Sequence, residues 1–165
     1  MFVVVLVFGV ILTACSGGGS PSSPSSTVTS ARINEFAIAG PGGQQLGPNS
    51  NVETVWGNPL KVRINYTLSG TKGQVVTIAA CPIETDGSVG ACPHETSEVG
   101  EVGGGSTVIE LFAERITGSY SRTSYRSVNL YIFPGYWGQG FSSNNYGGSL
   151  DMKEVLMSIT VETLR

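Results

Sequence analysis

Charge is missing from the start of the chain. No Asp, Glu, Lys or Arg occurs before Arg32, so all 12 acidic and 9 basic residues lie in residues 31–165. No basic run occurs anywhere, which removes the electrostatic source of phosphate-backbone binding and excludes nucleic acid as an expected partner. Histidine is nearly absent: His94 is the only one. A metal site needs three or four converging ligands, and a hydrolytic triad needs a positioned base. One imidazole beside Cys92-Pro93 supplies neither, and no G-x-S-x-G elbow is present. No metal, cofactor or catalytic group is therefore expected, and His94 reads as a surface residue. Helical periodicity is also lacking. No segment repeats its apolar residues every 3.6 positions.

What is present divides the chain into three. Residues 1–14, MFVVVLVFGVILTA, form an apolar run. As a helix it would span about 20 Å, short of the roughly 30 Å hydrocarbon core. A short apolar stretch ending in small residues has the form of a signal-peptide h-region. Residues 15–30 follow as Cys15 and a Gly/Ser/Pro tether, too poor in apolar surface to fold. Residues 31–165 hold 19 of the 23 glycines together with many Val, Ile, Thr and Tyr. That composition favours strands and turns, and the length suffices for one domain with a core.

Leu12-Thr13-Ala14-Cys15 resembles the lipobox of bacterial lipoproteins. The resemblance covers only the leader. It implies diacylglycerol on the Cys15 thiol, cleavage before it and acylation of the new amino group. Several acyl chains on one cysteine anchor stably where one is marginal. The expected address is the cell envelope, lipid-anchored, on the outer membrane or periplasmic face. Ser16 in place of Asp implies the outer membrane in the enteric form of that pattern.

With Cys15 assigned to lipid, Cys81 and Cys92 remain as a pair in an oxidising compartment. The segment between them is PIETDGSVGA. Asp86-Gly87 is a two-residue hairpin signal of type I′. That turn sets Thr85 opposite Ser88, and the register it starts sets Cys81 opposite Cys92. Opposed residues of an antiparallel pair lie within disulfide reach.

Alternating apolar residues predict seven strands, at 32–38, 52–56, 60–68, 74–80, 107–115, 125–133 and 155–164. Leu60, Val62, Ile64, Tyr66 and Leu68 give the clearest pattern. Ile109, Leu111 and Ala113 point inward in the 107–115 strand. In 32–38 the inward set Ile33, Phe36 and Ile38 changes parity, which predicts a bulge. The expected fold is all-β: a single antiparallel sandwich, with a small barrel as the alternative. The order of pieces resembles an immunoglobulin-like or fibronectin-III-like domain in layout over most of 31–165. Tyr125, opening its strand, is read as a core or rim tyrosine rather than a tyrosine corner.

The candidate binding loop is Pro134–Gly148, uncharged and rich in rings and amides: Tyr136, Trp137, Phe141, Asn144, Asn145 and Tyr146. Rings beside amides suit sugar stacking and protein hot spots. The bland alternative folds these rings back over the core. Gly103-Gly104-Gly105 reads as a flexible turn, since no Lys or helix follows as a phosphate loop requires. Asn65-Tyr66-Thr67 is a chance sequon match, and Asp86 and Asp151 are too far apart for a calcium loop. Glu84, Glu95, Glu98, Glu101, Glu110 and Glu114 offer carboxylates for glycoside hydrolysis, yet Glu110 and Glu114 alternate onto a solvent face. The expected role is a non-catalytic binding or interaction module for an envelope protein or glycan. A structural subunit of an envelope complex is the alternative, and a hydrolase the weakest reading.

Overall fold

The computed structural model describes residues 30–99, 103–116, 118–138 and 148–163. Cys15, the leader and the tether up to residue 29 lie outside them. The described residues form nine strands: β1 Ser30–Ala39, β2 Gln45–Leu46, β3 Asn51–Val55, β4 Leu60–Ser69, β5 Val75–Glu84, β6 His94–Glu98, β7 Gly104–Leu111, β8 Arg122–Pro134 and β9 Asp151–Glu162. They build two sheets, in the orders β2-β1-β4-β7 and β3-β9-β8-β5-β6. The described residues are all-β, and the two sheets face each other as a sandwich.

Period-two alternation builds the core. Leu60, Val62 and Ile64 of β4 are fully buried and face Val76 and Ile78 of β5, Leu130 and Ile132 of β8, and Ile159 of β9. Fully burying one such side chain stabilises by about 1.5–3 kcal/mol. Of the outward residues of β4, Lys61, Arg63, Thr67 and Ser69 are exposed and Asn65 is half-buried, so one face of this strand is solvated.

Two strands beyond the expected seven appear. Strand β6, HETSE, carries no apolar residue, and β2 is only two residues long. Both exist through pairing with a neighbour, which a hydrophobic pattern does not report. The sandwich is also not wholly antiparallel: β3 runs parallel to β9, with Asn51 opposite Ser158. The bulge in β1 lies between Ile33 and Glu35. Phe36 stands opposite buried Ile64 and so lies on the inward side as expected, yet it is 39% exposed, because β1 borders the sheet everywhere except where β2 covers its last two residues. Ala113 is exposed as well. Strand β7 ends at Leu111, and Phe112 takes a left-handed φ of 62° that turns the chain away. Such a backbone costs about 1–3 kcal/mol in a non-glycine residue. Ring packing holds it. Phe112 meets Trp56 edge-on at 5.4 Å and Tyr125 at 5.2 Å, and its carbonyl accepts the Gly57 N–H at 2.9 Å. The three rings close one end of the core, and Tyr125 is a core tyrosine.

Cys81 and Cys92 are joined, with Cα atoms 4.4 Å apart. The turn that brings them together differs from the expected two-residue type. The Glu84 N–H donates to Ser88 and the Gly87 N–H to Glu84, so three residues make the loop. Only Gly87 has positive φ, at 92°. This is a type I turn closed by a left-handed glycine. Asp86 prefers it because its Oδ1 accepts both the N–H and the hydroxyl of Ser88, at 2.8 and 2.7 Å. The pairing is consequently one residue out near the turn, where Ile83 faces Val89. An extra residue between Gly90 and Pro93 cancels the offset. From Ala79–His94 to Val75–Glu98, β5 and β6 pair in the register expected from the sequence.

Candidate functional site

Strand β5 is buried on both faces, and this creates the most distinctive surface. Val76, Ile78 and Ala80 point into the main core. Ala79 and Cys81 point the other way and are just as buried. They belong to a second apolar cluster with Tyr131 and Phe133 of β8, against which Val89, Cys92 and Trp137 pack. The cluster lies on the outer face of the five-stranded sheet. The run VVTIAACPI signals it in the sequence, since a strand buried on both faces loses its alternation.

Trp137 is the lid of this cluster. Its ring stacks on His94 at 4.6 Å, 18° from parallel, and meets Phe133 edge-on at 6.0 Å. Phe133 in turn stacks on Tyr131 at 5.3 Å. His94 is exposed, as expected, and is held in place: its Nδ1 donates to the Cys92 carbonyl at 3.1 Å. The disulfide thus positions the histidine, and the histidine supports the tryptophan. Tyr136, one residue earlier, is 52% exposed. Of the expected binding loop, then, Trp137 folds back and Tyr136 stands out. Phe141, Asn144, Asn145 and Tyr146 lie outside the described residues.

Next to the cluster the outer face turns polar. Asn129 stands opposite Cys81 on one side and Glu154 on the other. Its Nδ2 donates to the Tyr131 hydroxyl at 3.0 Å, while its Oδ1 is buried without a donor. An unsatisfied buried acceptor costs about 1–3 kcal/mol. The Ser127 hydroxyl donates to Glu154 Oε1 at 3.2 Å. Met152 and Leu156, flanking Glu154 on the same face of β9, are 47% and 54% exposed.

The other singled-out residues have structural roles. Gly104 and Gly105 are not a turn but the start of β7. Tyr66, opposite Gly105, lies across it, and its hydroxyl donates to Ser97 of β6 at 2.9 Å. A Cβ at Gly105 would sit 2.5 Å from the Tyr66 hydroxyl oxygen. Glycine is what lets the ring pass over the strand and clasp the opposite sheet. Glu110 pairs with Lys61 at 3.5 Å on the solvent side. Among the described residues, no group of three or more His, Cys, Asp or Glu converges as metal ligands. No helix among them is long and apolar enough to cross a membrane. The chain matches no protein-family model and no curated protein.

Proposed function

We propose that the chain is a lipid-anchored cell-envelope protein whose immunoglobulin-like sandwich binds a partner protein or glycan without catalysing a reaction. The strand order supports the immunoglobulin-like reading. In the usual lettering β1, β4 and β7 take the places of A, B and E, and β5, β8 and β9 those of C, F and G. Strand β6 follows β5 as C′, and β3 runs beside β9. Lipid on Cys15 rests on the lipobox resemblance.

One observation carries the binding reading. Trp137 is pinned between His94 and Phe133, while the neighbouring Tyr136 remains 52% exposed. A rigid sheet thereby presents the root of an uncharged, aromatic loop, as binding surfaces do. In-cell crosslinking and pull-down test it. Tyr136→Ala is expected to lose the captured partner with an unchanged melting temperature. Trp137→Ala is expected to lose stability as well, by about 2–4 kcal/mol. Undiminished capture by Tyr136→Ala would remove the loop root from the binding site. The structural-subunit alternative draws on the open edge of β7 and predicts a complex that survives both substitutions.

A further inference from the structure

The clasp of Tyr66 on Ser97 ties the two sheets together at one point along the β6–β7 side. Away from it, toward the start of β6, the sheets part. A cleft of about 390 Å³ opens there between Pro93, His94 and Glu95 on one wall and Val108, Ile109 and Glu110 on the other. Glu95 is opposite Ile78 and so lies on the interior side of β6, yet it is exposed because the cleft opens beside it.

The backbone edge along this cleft is unusual. Every sheet edge exposes unpaired N–H and C=O groups, and proteins blunt such edges with charge, proline, bulges or short strands. The bordering strand β1 has Arg32 and a bulge. Edge strand β3 is five residues long. Strand β6 follows Pro93 and carries Glu95 and Glu98. Strand β7 has eight residues in unbroken register with β4 and neither Pro nor bulge, and its one charge, Glu110, is paired with Lys61. Among the described residues, nothing pairs with its far edge. Val108 on it is 45% exposed.

We infer that the β7 edge and the adjoining cleft form a strand-addition site for an extended, basic segment of a protein partner. The segment's backbone would continue the β2-β1-β4-β7 sheet, and a Lys or Arg side chain would enter the cleft. Charge complementarity selects that side chain. Glu95 lies on the interior side of β6 in the cleft wall and makes no ion pair among the described residues, whereas Glu110 at the rim turns outward to Lys61. Ile109 and Pro93 cover the aliphatic stem of the incoming side chain. Main-chain pairing supplies attachment, and the cleft supplies selectivity, which is the division of labour in strand addition. The site is separate from the Tyr136 loop root and stands or falls independently of it.

The test uses the full chain in detergent and two acetylated peptides, Ser-Thr-Val-Lys-Val-Thr-Ser and the same sequence with Glu replacing Lys. Hydrogen exchange is followed by mass spectrometry during titration. The Lys peptide is expected to slow exchange across 104–111 and to bind about tenfold more tightly than the Glu peptide. Glu95→Lys, an exposed position, is expected to abolish or reverse that preference with an unchanged melting temperature. Equal binding of the two peptides, or protection at another edge, overturns the proposal. So does β7 protection without peptide that rises with protein concentration, which would make a second copy the occupant. Failure here leaves the Tyr136→Ala result untouched.

Discussion

Two side chains show how much rests on single atoms. At Gly105 the neighbouring ring occupies the space of a Cβ, whereas at Gly104 the nearest atom is a carbonyl oxygen 3.7 Å away. Gly105→Ala is therefore expected to displace Tyr66, break its bond to Ser97 and cost about 1–3 kcal/mol. Gly104→Ala should stay within about 0.5 kcal/mol of wild type. Urea midpoints compare them, and equal losses would mean that the clasp adds nothing. Tyr125 gives a pH signature. Burial holds its hydroxyl above the usual tyrosine value of 10.0, and the Glu84 carboxylate adds to the rise. The unfolded chain thus releases this proton at lower pH than the native one. The associated stability is complete below about pH 10 and is lost as pH climbs through the folded value. As pH rises above about 10 the urea midpoint should fall, and Tyr125→Phe should make the fall shallower. Identical slopes for the two proteins would contradict this.

At the level of elements, the β5–β6 hairpin is the joint on which the outer cluster depends. The Cys81–Cys92 bond holds Pro93 and His94, and His94 supports Trp137. Replacing both cysteines by alanine is expected to cost about 3 kcal/mol, as closing a short loop does. Amide exchange should accelerate in 94–98 and stay unchanged in β9. An unaltered unfolding midpoint would show that the bond does not hold β6. The same hairpin marks what the amino-acid order discloses. Asp86-Gly87 and the cysteine spacing disclose the β5–β6 register, although the turn has three residues instead of two. Alternation discloses β4, β8 and β9 and the change of face within β1. Strand β6 is silent, since His94-Glu95-Thr96-Ser97-Glu98 offers nothing apolar to count. The Gly103–Gly105 run misleads, because a gap left for a distant ring and the freedom of a loop are spelled with the same residue. The position of Trp137 depends on β8 packing beside β5, a pairing between segments some 50 residues apart, so local pattern does not reveal it. Tyr136, by contrast, is legible as an exposed loop aromatic.

For the whole molecule, the two ends of the sandwich differ. Trp56, Phe112 and Tyr125 close one. The other collects the start of β1, the end of β4 and the segment leaving β8 toward Tyr136. On the lipoprotein reading, fatty-acid label should be incorporated by the wild-type chain and lost with Cys15→Ser, which should move from membrane to soluble fraction. Label retained by that variant would place any lipid elsewhere. Whatever holds the residues before Ser30 pulls on the first residue of β1, and direction then decides strength. Tension along the strand loads all nine β1–β4 residue pairs at once, in shear. Tension across the sheet peels them singly, beginning at Ser30. The peel soon meets Ile33, whose N–H donates to Asp151 Oδ2 of the opposite sheet at 2.7 Å. Forced unfolding is governed by the barrier to the first rupture. That one carboxylate makes β1 a strap with a rivet near its loaded end, and the domain a mount that yields last to a straight pull.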